Sequence, residues 1–264
     1  MILHRLTLPL CALVLAGCAS SPSSNISLIP TQIAEQTQRD GAFTQPLKWS
    51  RNKPDCKGEC PAIHVDSLVF PGNPKLTDLV DHALAVMTTL DDGKTLPYDS
   101  LRGFESYFWQ TAGGRDRVDL TARARYRNQH LTVLELSSWR YLTGAAHGIS
   151  ATQFLNWDNH NNRVLSLNEV LLPGKRGDFE RRLAEAHRHW LTEQPGAQED
   201  PAGWQRLWPF QASDNFALTD QGVVVKYDTY AIAPYSSGQP ELLLPYPVLQ
   251  DILQPRYLPS TQGR

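Results

Sequence analysis

The chain has 264 residues, 41% of them hydrophobic and 20% charged, which suits an ordinary globular protein built as one large domain or two small ones. Its formal net charge of −2 at pH 7 supplies no basic field for a phosphate backbone, so no nucleic-acid partner is expected.

The N-terminus opens with a short basic region at His4 and Arg5, an apolar run over 6–15, and the order Leu15-Ala16-Gly17-Cys18. An apolar run this short is a secretory h-region and cannot span a bilayer as a stable helix. The Leu-Ala-Gly-Cys order resembles the bacterial lipoprotein box. That resemblance implies a signal peptide over residues 1–17 and a lipid on Cys18 as the first mature residue, with the membrane as a partner through that lipid. Ala19 follows where an inner-membrane retention signal would place Asp, which by analogy implies an outer-membrane lipoprotein facing the periplasm. An ordinary signal peptide with a chance cysteine is the alternative. Residues 20–27 are rich in Ser, Pro and Asn, the composition of a flexible tether, and 18–45 is assigned to that tether.

Of the four cysteines, Cys11 leaves with the signal and Cys18 is assigned to the lipid. Cys56 and Cys60 remain, and an even pair in an exported chain reads as a disulfide that pins a local turn. Zinc is disfavoured, because there is no second cysteine pair and His64 alone cannot complete a tetrahedral set. No metal or cofactor is expected.

Residues 65–70 form a short apolar strand candidate. Asn73-Pro74 then supplies a cap and a first helical residue, and Leu76, Leu79, Val80, Ala83, Leu84, Met87 and Leu90 follow at helical spacing up to Asp91-Asp92-Gly93. Leu101, Phe104, Tyr107 and Phe108 predict a second helix, weakened by Gly103. Val118, Leu120, Ala122, Ala124 and Tyr126 alternate with Asp119, Thr121, Arg123, Arg125 and Arg127, and 131–136 pairs back after a turn at Asn128-Gln129. The arginine row reads as a solvated sheet face in preference to an anion site.

A strand over 152–157, a turn over 158–162 and a short strand over 163–165 come next. Ser166-Leu-Asn-Glu169 has the spacing of a capping box, which gives Glu169 a structural task. Phe179, Leu183, Ala186, Trp190 and Leu191 predict a longer helix, and Asp200-Pro201 starts another. Runs at 215–218 and 223–227 flank Thr-Asp-Gln-Gly222 as a hairpin whose glycine is expected at positive φ. A strand at 241–244 and a last helix over 246–253 complete the chain. Helices interspersed with antiparallel pairs predict an α+β fold, with helices packed on one face of antiparallel sheet and a tight two-part arrangement.

Two stretches concentrate Gly, Pro, aromatic and polar residues between strand-like runs, where loops commonly carry a working surface. One is 141–148, containing Gly144, His147 and Gly148. The other is 227–238, containing Tyr227, Tyr230, Pro234, Tyr235 and Gly238. They are expected to be neighbours in space.

The order Gly144-Ala-Ala-His147-Gly148, Phe154-Leu-Asn-Trp157-Asp158 and Leu165-Ser-Leu-Asn-Glu169, followed by Phe216-Ala-Leu-Thr-Asp-Gln-Gly222, Tyr230-Ala-Ile-Ala-Pro234-Tyr235 and Glu241-Leu-Leu-Leu-Pro245, resembles the RsiV-type extracytoplasmic domain. The preceding portion resembles the N-terminal module of PdaC-type peptidoglycan deacetylases. The resemblance implies a PdaC-like module over 46–143 and an RsiV-type domain over 144–264. It also implies an α+β envelope protein that binds a ligand directly, with a lysozyme-type muramidase first among partners. Another envelope protein or peptidoglycan, contacted by a structural or assembly factor, is the alternative. This sequence lacks both a signalling segment for a sigma factor and a deacetylase domain.

Chemistry of its own is less well supported. His147 with Ser137 or Ser138 and Asp158 supplies the residue types of a nucleophilic triad, but no Gly-x-Ser-x-Gly elbow presents a serine. His187 and His189 lie about 200° apart around a helix and do not converge on an ion, while His147 and His160 have no spacing that demands a shared one. Asp91-Asp92 reads as a solvated helix stop and Glu241 as isolated, so no carboxylate pair for glycoside chemistry is identified. The reading is therefore a binding protein without catalytic residues. Tyr230, Pro234, Tyr235, Gly238 and His147 are its candidate contact residues, with Tyr227 assigned to the core and His147 also holding its own turn.

Overall fold

The computed structural model describes residues 41–89 and 95–259. Cys18, tether residues 18–40 and the expected helix stop Asp91-Asp92-Gly93 lie outside the described residues.

A six-stranded sheet runs in sequence order through β1 (Gln45–Asn52), β2 (Ala62–Val69), β3 (Arg117–Arg127), β4 (Leu131–Tyr141), β5 (Ile149–Asp158) and β6 (Arg163–Val164). Every neighbouring pair is antiparallel except β2 and β3, which are parallel. Parallel neighbours need a crossover, and the intervening chain supplies α1 (Pro74–Val86) and α2 (Leu101–Thr111). One strand–helix–helix–strand unit thus sits where only antiparallel pairs were expected.

Asn73 caps α1 by accepting the amide of Leu76 at 3.1 Å, and the helix buries Leu76, Val80, Leu84 and Ala85. It ends at Val86, before the apolar spacing does. Gly103 does not weaken α2. It lies in the first turn, where its amide donates to the Ser100 hydroxyl at 3.3 Å and an added Cβ would come within 3.0 Å of Tyr98 Cβ.

Strand β1 was hidden from the sequence because almost all of it is exposed, leaving no alternation to detect. The Cys56–Cys60 disulfide closes a turn between β1 and β2, with Cα atoms 5.9 Å apart. Packing begins even earlier, inside the stretch assigned to the tether: Ala42 is buried and its amide donates to Thr132 Oγ1 at 3.0 Å.

After β6 come α3 (Leu167–Val170), α4 (Arg176–Leu191), α5 (Pro195–Glu199) and α6 (Pro201–Leu207). A second sheet follows, ordered β7 (Phe216–Leu218), β8 (Gly222–Lys226) and β9 (Glu241–Pro245). The expected capping box is present at α3: Glu169 accepts from both the amide and the hydroxyl of Ser166 at 2.8 Å and pairs with Arg163. Those Ser166 bonds, then the guanidinium, hold its carboxyl at about 2.

The central strands are buried on both faces. Leu134, Leu136, Leu155 and Trp157 pack with Ile63, Val118, Leu120 and the buried sides of α1 and α2. Leu131, Val133 and Phe154 face the other way and join Phe179, Leu183 and the apolar residues of β7, β8 and β9. Segregated helices and largely antiparallel sheets make this an α+β fold. The boundary expected at 143/144 falls between β4 and β5, which pair continuously from Arg140↔Ile149 to Leu131↔Asp158.

Two asparagines join the sheets. Asn156 is buried, donates to the Phe216 carbonyl at 2.7 Å and accepts the Leu218 amide at 2.9 Å. Asn215 accepts the Phe154 amide and donates to the carbonyls of Thr152 and Lys226. Strands β5 and β7 share no ladder, so these amides satisfy backbone groups that would otherwise be buried without partners.

Three local expectations are corrected. Gly222 is absent from the positive-φ residues and is needed instead because a Cβ would collide with the Leu244 carbonyl across the β8–β9 ladder. Residues 246–253 form a short 3-10 turn (Tyr246–Val248) and a second turn, closed by Leu253 N–H donating to Leu249 C=O at 2.9 Å, rather than a helix. The end of this segment is fixed by Leu172 N–H donating to Ile252 C=O at 2.8 Å, Gln254 N–H to Val170 C=O at 2.9 Å, and a Leu171↔Leu253 bridge. Glu241 is not isolated: it pairs with Arg125 and with Lys226, which also pairs with Glu135.

Among the described residues no helix is long and apolar enough to cross a membrane.

Candidate functional site

The β4–β5 turn and the segment after β8 meet at the surface. His147 reaches the turn through Gly144, which holds φ +92°, and its Nδ1 lies 2.9 Å from the carbonyl of Gly148. Gly148 is buried against the Trp139 indole, which occupies the space a Cβ would need. The turn therefore has a fixed shape, and it presents the other imidazole nitrogen outward.

That nitrogen, Nε2, lies 3.1 Å from the Tyr230 hydroxyl. The Tyr235 ring packs on the imidazole with centroids 4.1 Å apart, and Tyr230 and Tyr235 are themselves 5.7 Å apart. Tyr230 and Tyr235 remain 42% and 39% exposed, so the cluster is a surface and not a core. Pro234 opens a 3-10 turn (Tyr235–Ser237), and Gly238 closes it at φ +64°, ψ −128°, a conformation open only to glycine. The turn holds Tyr235 outward.

Tyr230 also carries strain. Its φ of +73° is an outlier for a bulky residue. What holds it there is the bond to His147 and a stacked contact with Trp208, centroids 6.1 Å and planes 22° apart. Tyr227, by contrast, is core: it is buried, its hydroxyl donates to the Gln211 carbonyl at 2.8 Å, and burial pushes its pKa up.

The structure thus brings His147, Tyr230, Tyr235, Pro234 and Gly238 together and adds Trp208, which the sequence reading missed. Trp208 follows α6 in a Pro-flanked stretch with no period to mark it. Exposed Ile149 and Leu207 contribute apolar area close by in sequence, at the start of β5 and the end of α6.

The residue types of a triad do not come together. Ser137 Oγ bonds Thr121 Oγ1 at 2.5 Å, and Ser138 Oγ donates to the Met87 carbonyl at 2.8 Å on the helix-covered face. Asp158 accepts the amides of His160 and Asn161 at the end of β5 remote from His147, some ~30 Å along the strand. His160 sits at that same remote end. His187 is buried and His189 exposed, so they diverge as the helical spacing required. Among the described residues no group of three metal-ligating side chains converges.

The arginine row is engaged as well. Arg123 pairs with Asp66, Arg125 with Glu135 and Glu241, and Arg127 donates to the Ala42 carbonyl. It belongs to the solvated sheet face.

The family described as a protein of unknown function, DUF3298, matches residues 168–247. A crystal structure of a DUF3298 family protein from Pseudomonas aeruginosa PAO1 is similar at 38% identity and TM-score 0.77, covering 86% of this chain and 100% of that one. A DUF3298 family member from Bacteroides fragilis NCTC 9343 shares the fold at 18% identity and TM-score 0.64, covering 82% of this chain and 95% of that one. No protein of curated function matches. With that level of identity across the full length of the Pseudomonas relative, this chain belongs to the DUF3298 family.

Proposed function

We propose that this protein is a lipid-anchored envelope protein that binds a partner protein through the Tyr230–Tyr235–His147 face, with a lysozyme-type muramidase as the first candidate. The observation that carries this reading is the strained, exposed Tyr230 held between His147 and Trp208 beside Tyr235. Aromatic rings fixed before contact lose little freedom on binding, and such residues dominate protein interfaces. The imidazole's bonded partners are the Gly148 carbonyl and the Tyr230 phenol, and both tyrosine rings stay open to a partner, which supports recognition.

Calorimetric titration of lysozyme into the full chain is the direct test. Saturable binding that Tyr235→Ala weakens by about tenfold or more supports the reading. No binding at high-micromolar concentration overturns the lysozyme identity, and co-sedimentation with purified sacculi in its place would assign the face to peptidoglycan. The anchor is tested separately by metabolic acyl labelling, which is expected in the native chain and lost in Cys18→Ser.

A further inference from the structure

Helices α4, α5 and α6, with the chain just beyond them, enclose a cleft of about 480 Å³, within the range of small-molecule sites. Its walls include Ala184, Leu191, Pro201, Trp204, Trp208 and Phe210, so most of its surface has nothing to offer water. Arg188, Thr192, Gln198 and Gln205 also line it, and two buried polar atoms at the wall have no partner. His187 is only 4% exposed and lines the cleft, and its Nε2 has no hydrogen-bond partner. The Trp204 indole N–H, also on the cleft, is buried and unpartnered too.

Buried polar groups in native proteins are nearly always paired, so two orphans on one cavity point to a missing partner. The chemistry of that partner follows from theirs. An indole N–H is a donor only, and an imidazole Nε2 donates in the tautomer that carries its proton there, so both are served by an oxygen acceptor. Arg188 lies exposed on the same cleft and makes no ion pair among the described residues, which favours an acceptor with negative charge. The predominantly apolar wall favours a ligand with a hydrocarbon body over a saccharide.

We propose that the cleft binds a small apolar carboxylic acid, its hydrocarbon body against Trp204, Trp208 and Phe210 and its carboxylate accepting from Trp204 Nε1 and His187 Nε2 beside Arg188. The cleft adjoins the proposed protein-binding face at Trp208, whose ring stacks on Tyr230, and takes none of its other residues.

Dodecanoate titrated into the full chain in detergent-free buffer, followed by calorimetry and tryptophan fluorescence, tests this against dodecyltrimethylammonium as a cationic amphiphile of equal length. The expected result is saturable single-site binding of dodecanoate, at least about tenfold tighter than the cation. Ala184→Phe, which fills the cleft, abolishes it. His187→Phe and Trp204→Phe, which keep the volume and remove one donor each, weaken it about fivefold apiece. Tyr235→Ala leaves it unchanged, so failure here and failure of the protein-binding reading are distinguishable. No saturable binding, equal affinity for the cation, or unaltered affinity in both donor variants would overturn the proposal. Should Ala184→Phe not fold, the two donor variants decide the question.

Discussion

A single backbone angle marks the proposed binding face more clearly than any contact does. Tyr230 pays for its positive φ through its hydroxyl and its ring, so removing the side chain separates the strain from the contacts. Alanine retains the left-handed penalty of roughly 1–2 kcal/mol and glycine does not. Tyr230→Gly is therefore expected to melt about 2–8 °C above Tyr230→Ala, while both lose partner binding. Equal melting temperatures would mean that the surrounding loop relaxes and no strain is held. His187 offers a second test at this scale. Burial pushes its imidazole below the ordinary 6.5, so the folded chain keeps it neutral while the unfolded chain takes up a proton as the pH falls. The unfolded state binds more protons, so stability rises with pH in that window and declines from about pH 7 towards 5. Denaturant midpoints across this range should show a smaller decline in His187→Phe than in the native chain.

At the scale of elements, what could be read from the sequence depended on how each strand is covered. Strand β3 has one covered face along most of its length and alternates as expected, until a register shift between Ala124 and Tyr126 ends the pattern. Strand β4 is covered on both faces over Leu131–Leu136, so its apolar run gave its existence but not its two packing directions. Exposed β1 gave no signal. The helix starts were legible because Asn73, Ser166 and Asp200 carry local chemistry; the coil at 246–253 was not, because its conformation is set by pairing with residues more than seventy positions away. The meeting of the 141–148 and 227–238 stretches was legible from their composition. Asn156 was visible only as part of a motif, and its task emerges from β7 crossing β5 without a ladder. Asn156→Ala removes two hydrogen bonds and strands the Phe216 carbonyl and Leu218 amide, which should cost about 2–4 kcal/mol by chemical denaturation. Asn156→Asp should restore at most the accepting half.

For the molecule as a whole, the central sheet acts as a shared wall between two cores. Leu134 and Val133 are neighbours in β4 yet belong to opposite cores, and the same division separates Phe154 from Leu155 in β5. A piece beginning at residue 144 would keep β5 but lose β4, and with it Leu131 and Val133 from its own core. Residues 144–264 expressed alone are accordingly expected to lack a cooperative thermal transition, whereas the intact chain shows one. A sharp transition in the isolated piece would show that the small sheet and α4 suffice. The β1–β2 hairpin stands apart from this wall. Its outer strand is exposed along nearly its whole length, paired on one side only, and tied to β2 by eight aligned residues, with the disulfide confined to the connecting turn. In deuterated solvent the amides of β1 should therefore exchange first and those of β4 last, so the sheet opens like a page from its free margin while the spine that carries both cores stays closed.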